Sequence, residues 1–183
     1  MATSANVTAG KPKTTGAIFV GATSLTMPTN ATTALPAGFT EVGYASEDGL
    51  TNANSRSVES IKAWGGDTVL TTQTEKTDTF TFTLLEAENV DVLKVVHGDD
   101  NVSGTLADGI SVEVNAKELP YKAWVFEMIL NGAVKRVVVP YAKVTEIGDV
   151  SYVDNGAVAY PITISAEPDA SGNTHYEYIK ASA

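Results

Sequence analysis

The chain has 183 residues, of which 43% are hydrophobic and none is cysteine, so it can form one domain with a core but neither disulfides nor thiolate metal sites. Its formal net charge of −10 argues against nonspecific nucleic-acid binding, which needs clustered lysine and arginine. No apolar run is long enough to cross a bilayer.

The first 16 residues, MATSANVTAGKPKTTG, are rich in Thr, Ala, Gly and Ser and lack the apolar segment of a secretory signal. Two interpretations of this N-terminal arm stay open at this point. It is either a disordered tail or a segment that becomes ordered on a neighbouring subunit. Residues 17–183 are predicted to form a single domain.

Short β-type segments separated by polar or Gly-containing turns follow along the chain. The predicted strands are Ala17–Gly21, Phe39–Ser46, Val69–Thr74, Thr79–Leu84, Ile110–Val114, Tyr121–Leu130, Val134–Val139, Lys143–Val153, Ala157–Ala166 and His175–Lys180. The predicted loops are Ala22–Gly38, Glu47–Ser60 and Asp99–Gly109. This pattern predicts a mainly β fold, a β-sandwich or barrel with one flanking α-helix.

Two hairpins are predicted from the turns between strands. Val69–Thr74 and Thr79–Leu84 are expected to pair through the connection EKTD. Asn131-Gly132, between AWVFEMIL and VKRVVV, is the strongest hairpin signal in the sequence.

One helix is predicted over Glu86–His97, because acidic residues begin the segment, basic residues end it and Gly98 follows. On a helical wheel its apolar residues cover roughly 220°, wider than the stripe of about 100° that a helix on one sheet needs. Either the helix is sunk in the chain's own core, or one apolar flank covers the sheet while the other meets another subunit.

No pattern of catalytic or metal-ligating residues is present. The sequence lacks HExxH, Walker A and G-x-S-x-G motifs, and His97 and His175 have no metal spacing. Trp64 and Trp124 could stack on sugars, although packing in a core or interface is commoner for isolated tryptophans. We therefore expect no enzyme activity and no cofactor.

Three segments in order carry a resemblance to a known family: FTEVGYASEDGLT, SVESIKAWGGDTV and TFTFTLLEAENVDVLKVVHG. Together they resemble the major tail tube proteins of long-tailed, siphovirus-type bacteriophages. The resemblance is densest over Phe39–Gly98 and extends more loosely to the C-terminal strands.

The resemblance implies a non-enzymatic virion protein that is assembled in the bacterial host cytoplasm. Subunits would form hexameric rings that stack into a tube around the tape-measure protein, between a tail terminator and distal tail or baseplate proteins. Double-stranded DNA would pass through the lumen without specific binding, which the acidic balance of the chain would suit.

The resemblance also implies roles for particular residues. A loop bridging subunits or rings would include Glu47, Asp48, Gly49, Leu50, Asn54, Arg56 and Glu59. A ring-interface helix would present Val90, Leu93, Val95 and Val96. Candidate lumen residues are Glu75, Asp78, Thr79, Thr81 and Thr83. The alternative function is a carbohydrate- or receptor-binding β-sandwich, a decoration or adhesin module whose binding would depend on Trp64 or Trp124.

Overall fold

The computed structural model describes residues 2–13 and 17–182, and this part of the chain is mainly β with one α-helix. The strands are β1 (Lys11–Pro12), β2 (Ile18–Gly21), β3 (Thr40–Glu41), β4 (Thr51–Lys62), β5 (Thr68–Leu84), β6 (Val102–Thr105), β7 (Gly109–Val112), β8 (Lys122–Leu130), β9 (Ala133–Ile147), β10 (Tyr160–Ala166) and β11 (Tyr176–Ala181). The helix α1 spans Val90–His97, and 3-10 turns cover Ser4–Asn6 and Asp99–Asn101. The predicted mainly β fold with one flanking helix is confirmed.

Most strands form one antiparallel sheet that curls over itself without closing. Its order is β3-β2-β8-β9-β10-β5-β4, with β1 beside β8 and β11 beside β9, while β6 and β7 form a separate hairpin. Strands β5 and β8 are not neighbours in this order, yet their aromatic rings meet. The centroids of Phe80 and Phe126 lie 5.6 Å apart, as do those of Phe82 and Trp124. The two halves of the sheet therefore face each other as in a sandwich, with the core between them.

Strand β9 runs without a break through Pro140, so the predicted division into Val134–Val139 and Lys143–Val153 is wrong. One edge of β9 pairs with β8, and the other pairs first with β11 and then with β10. The register with β8 shifts around Pro140, so the proline, which has no N–H to donate, lies at a bulge. A proline in a strand suggests an end, but the bulge lets the strand continue to Ile147.

The helix is shorter than predicted, because Asn89 caps it. The Asn89 side chain accepts a hydrogen bond from the backbone N–H of Asp91, so Val90 is the first helical residue, not Glu86. Gly98 follows the last turn with φ 98°, and its N–H donates to the Lys94 carbonyl, as the Gly98 stop signal predicts. The valine-rich face lies in the chain's own core, with Val92 and Val96 fully buried.

The predicted loop Glu47–Ser60 and the predicted hairpin through EKTD are both wrong. Residues 51–62 form strand β4, which pairs along its whole length with β5, and β5 is a single strand of 17 residues. The turn lies instead at residues 63–67, where the Ala63 N–H donates to the Asp67 carbonyl. Over residues 51–76 both faces of this hairpin are exposed to solvent, so this part of the sequence lacks the apolar alternation that usually indicates a strand.

The hairpin predicted at Asn131-Gly132 is confirmed. Leu130 pairs with Ala133, and Gly132 has φ 78°, a conformation that favours glycine. Of the predicted strand Phe39–Ser46, only Thr40–Glu41 is a strand, whereas the predicted loop Asp99–Gly109 contains β6.

The outer face of β8 and β9 is also covered, by the loop of residues 22–38. Arg136 is buried and anchors this loop: its Nη1 and Nη2 donate to the carbonyls of Asn30 and Thr33 at 2.7 and 2.8 Å. The Arg136 Nε also donates to the buried Glu127 carboxylate at 2.7 Å. The middle of β8 and the middle of β9 are buried on both sides, so AWVF on β8 and VVV on β9 are continuous apolar runs.

Candidate assembly surfaces

A long exposed feature of the molecule is the part of the β4–β5 hairpin that extends beyond the core. This segment, residues 51–76, is called the hairpin arm. All of its side chains are exposed, from Thr51 on β4 to Lys76 on β5. Isolated two-stranded hairpins are marginally stable in water, so an arm of this length with no core of its own needs a partner surface.

The tip of the hairpin arm carries large apolar side chains in contact with solvent. Trp64 is fully exposed in the turn, beside Gly65 and Gly66, which have φ 116° and 100°. The other exposed apolar residues near the tip are Val58, Ile61, Val69 and Leu70, with 50% to 63% of their surface exposed. Exposed apolar clusters of this kind mark interaction sites.

The outer edges of the hairpin arm are open as well. Within residues 2–13 and 17–182, strand β4 pairs with β5 alone, and β10 covers the other edge of β5 only from Thr79 to Leu84. Unpaired backbone N–H and C=O groups along such edges can pair with another chain.

The root of the hairpin arm is held by a buried carboxylate. Asp78, which is 1% exposed, accepts hydrogen bonds from Asn52 on β4 at 2.8 Å and from Thr174 at 2.5 Å. The Nδ1 atom of His175 lies 2.5 Å from the same carboxylate. Lys76 adds a bond to the Thr174 hydroxyl at 3.1 Å. The segment that precedes β11 therefore fixes the point where the arm leaves the core.

Burial and hydrogen bonding oppose each other at Asp78. Burial raises the pKa of this carboxyl, but the hydrogen bonds from Thr174, Asn52 and His175 outweigh it and hold the pKa below the ordinary value of 3.8. The prediction that Asp78 faces a lumen is wrong, because it shares the inward face of β5 with Phe80 and Phe82.

The opposite, outward face of β5 is rich in hydroxyl groups and poor in charge. Thr79, Thr81 and Thr83 alternate with the buried residues and continue onto Thr163 and Ser165 of β10. The hydroxyls of Thr81 and Thr163 lie 3.0 Å apart. Glu75, the other candidate lumen residue, is exposed farther out on the hairpin arm.

The residues predicted to form a bridging loop fall into two groups. Asn54, Arg56 and Glu59 lie on β4 within the hairpin arm, and Arg56 donates to Gln73 on β5 at 2.9 Å. The remaining predicted residues form the turn before β4: Glu47, Asp48, Gly49 and Leu50. Gly49 has φ 70°, and its N–H donates to the Ser46 carbonyl.

The predicted ring-interface helix has little exposed apolar surface, in contrast to what the sequence suggested. Leu93, Val95 and Val96 are 5%, 6% and 0% exposed and pack in the core, so they cannot contact a neighbouring subunit in this structure. Val90, the fourth predicted interface residue, is half-buried. The wide apolar arc is explained by the β6–β7 hairpin, which covers the side of the helix that the large sheet leaves open.

The N-terminal segment lies on the chain's own sheet over part of its length. Strand β1 pairs with Met128 and Ile129 of β8, and Lys13 forms an ion pair with Glu127 at 3.0 Å. The predicted boundary at Gly16 lies outside the described residues. In residues 2–13 and 17–182 no helix is long and apolar enough to cross a membrane, and no cluster of His, Asp and Glu is arranged to hold a metal ion.

The two tryptophans differ completely in exposure. Trp124 is 1% exposed in the core, so the prediction that it could bind sugars is wrong, whereas Trp64 is accessible. Sequence reasoning missed both the hairpin arm and the buried root. The paired glycines before Asp67 were the available signal for the arm, and the even spacing of Asp78, Phe80 and Phe82 was the signal for the root.

No curated protein matches the chain. One matching solved structure is the cap of the anti-feeding prophage, described as a tube-terminating cap, at 10% identity, TM-score 0.41 and full coverage of both chains. That likeness is too distant to indicate a shared role. The family model described as phage tail tube protein matches residues 1–183. The chain therefore belongs to the phage tail tube protein family and is a structural component of a bacteriophage tail.

Proposed function

We propose that the chain polymerises as stacked hexameric rings into the tail tube of a siphovirus-type phage, the conduit through which the genome is ejected into the host. The observation that carries this proposal is the hairpin arm, whose side chains are all exposed and whose tip is apolar. Such an arm gains stability only when a second surface covers it. A neighbouring copy of the same chain would supply that surface.

The contact made by the arm would be heterologous, because the arm of one copy meets a different surface of the next. Heterologous contacts either close into rings or continue into filaments, and a tail tube needs both. The open edges of β4 and β5 support side-by-side pairing of sheets from adjacent subunits. The turn containing Glu47, Asp48 and Gly49, at the base of β4, would lie near the same contact.

The hydroxyl-rich face of β5 and β10 is the surface that best suits the lumen. Thr79, Thr81 and Thr83 carry no charge that would bind phosphate, so DNA could pass without specific contacts. A neutral wall differs from the acidic wall that the net charge suggested. Under this proposal the acidic residues keep the assembly soluble. They also repel the DNA phosphates, although salt screens this repulsion and makes it weak.

The proposed partners follow from the position of such a tube in a tail. They are the tape-measure protein within the lumen, a tail terminator at one end and distal tail or baseplate proteins at the other, with assembly in the host cytoplasm. The exposed Trp64 is the one observation that suits the alternative, a carbohydrate- or receptor-binding module. Glycan binding that is lost in Trp64→Ala but unrelated to assembly would favour that alternative.

Electron microscopy of the purified protein, alone and with a tail-tip initiator complex, tests the proposal. We expect hollow tubes of stacked rings from the native chain. A matched variant in which Gly-Gly replaces the tip residues 61–70 should remain folded by circular dichroism but form no tubes. Particles that stay monomeric with the initiator present, or tubes formed equally well without the tip, would contradict the proposal.

A further inference from the structure

Beyond the end of β5, an open concavity of about 600 Å³ is lined by Leu85, Glu86, Ala87, Glu88, Asn89 and Val158. Because it is open to solvent, it offers a surface against which an apolar side chain of a partner can pack, and not an enclosed cleft. Leu85, Ala87 and Val158 are half-buried, so they offer apolar surface without filling the space. This concavity is called the β5-end pocket.

The walls of the β5-end pocket are held in place. The Glu86 carboxylate accepts from the Tyr44 N–H at 2.9 Å and from the Asn89 amide at 2.8 Å. A Cβ at Gly43 would lie 2.3 Å from the Glu86 Cδ, so any side chain there would displace the carboxylate from this position. The pocket is therefore formed before any partner arrives, which lowers the entropic cost of binding.

We propose that the β5-end pocket receives the hairpin-arm tip of a second copy of this chain, with Trp64 as the inserted side chain. This inference rests on the proposed function and names the acceptor surface for the arm. Trp64 is fully exposed, and buried tryptophans are among the strongest contributors to binding at interfaces.

The positions of tip and pocket on the chain require that the occupant be another copy. The tip and the pocket lie at opposite ends of β5: the tip precedes its first residue and the pocket follows its last. A strand of 17 residues spans roughly 50 Å. A rigid strand cannot bring its own two ends together. A donor at one end and an acceptor at the other make a head-to-tail contact, which repeats from copy to copy.

Charge supports the same pairing. Lys62 lies at the end of β4, two residues before Trp64, and is exposed. Glu88 lies at the exposed rim of the pocket, next to Glu86. A basic group beside the inserted indole would thus meet an acidic rim, and rim charges of this kind guide association and fix register.

Cysteine cross-linking tests the contact directly, because the natural chain contains no cysteine. The donor cysteine replaces Ala63, which is exposed beside Trp64, so that the inserted indole stays in place. The full chain carrying Ala63→Cys with Val158→Cys would be assembled and treated with a short bis-maleimide reagent. A heterologous contact links each copy to two others, so we expect a ladder of covalent species beyond the dimer. Ala63→Cys with Glu88→Cys supplies a second acceptor position in case the half-buried Val158 does not tolerate substitution.

A matched control places the acceptor thiol elsewhere. Ile179 is exposed on β11 and pairs with Lys135, near the start of β9. The pocket lies near the opposite end of β9, at Ile147. Ala63→Cys with Ile179→Cys should give no ladder. Tubes that form while the pocket variants give no more cross-linking than this control would overturn the inference and leave the proposed function standing. Absence of any assembly by the native chain would overturn both.

Charge reversal supplies an independent readout. We expect Lys62→Glu or Glu88→Lys alone to raise the protein concentration at which assembly begins by about tenfold. The double reversal should restore it to near the native value, because the pair is again complementary. Additive losses in the double variant would overturn the pairing of Lys62 with the pocket rim.

Discussion

Replacing Asp78 by alanine should loosen the root of the hairpin arm. The carboxylate has hydrogen-bond contacts with Asn52, Thr174 and His175, and hydrogen bonds to a charged group contribute about 1.5–3 kcal/mol each. The His175 side chain is 17% exposed and can recover part of its hydrogen bonding from water. We therefore expect the free energy of unfolding to fall by about 3 kcal/mol rather than by the full sum.

Urea unfolding of Asp78→Ala measures this loss, with Asp67→Ala in the exposed turn as the control of equal chemistry. The control should change the free energy of unfolding by less than about 0.5 kcal/mol. Limited proteolysis should also show faster cleavage within residues 51–76 of the Asp78 variant than in the native chain. A loss below about 1 kcal/mol, or cleavage at the native rate, would refute the claim that Asp78 holds the arm.

Three further outcomes follow from the described contacts. Val96→Ala should lower the free energy of unfolding of the monomer, measured in urea, by about 2 kcal/mol, since Val96 is fully buried. A variant monomer of native stability that fails to assemble would instead support an interface role for the helix. Arg136→Ala should cost about 3–5 kcal/mol in the same assay, because it leaves the Glu127 carboxylate buried without its main partner, and an unchanged midpoint would contradict this. Because the pKa of Asp78 is lowered on folding, its contribution to stability is complete above pH 3.8 and is lost as the pH falls below that value. The free energy of unfolding of Asp78→Ala should therefore fall less steeply than that of the native chain as the pH is lowered below 3.8.

The fold was predictable where burial imposes a pattern. Phe80, Phe82 and Leu84 alternate with threonines because one face of β5 is buried, and Asn131-Gly132 marks a turn for reasons of backbone geometry. Residues 51–62 form a strand with no buried face, so nothing in their polarity distinguishes them from a loop. Their pairing is set by the strand opposite them and not by their own sequence.

The candidate site was predictable only in outline. A wide apolar arc on the helix is consistent with either a core or an interface, and the decision depends on the β6–β7 hairpin, whose packing no periodicity reveals. Because β6 lies in a segment that was predicted to be a loop, the sequence did not show that a hairpin would cover the helix. Trp64 was visible in the sequence as a tryptophan near two glycines, but its exposure depends on how far the hairpin arm extends beyond the core.

The hairpin arm, on the proposal above, joins copies of this chain into a tube. The most direct measurement is a cryo-electron microscopy reconstruction of the assembled native protein at a resolution that traces β-strands. We expect hexameric rings in which residues 51–76 of each copy pack against another copy and the Thr79–Thr83 face lines the lumen. A tube whose arms project into solvent, contacting no other copy, would contradict it.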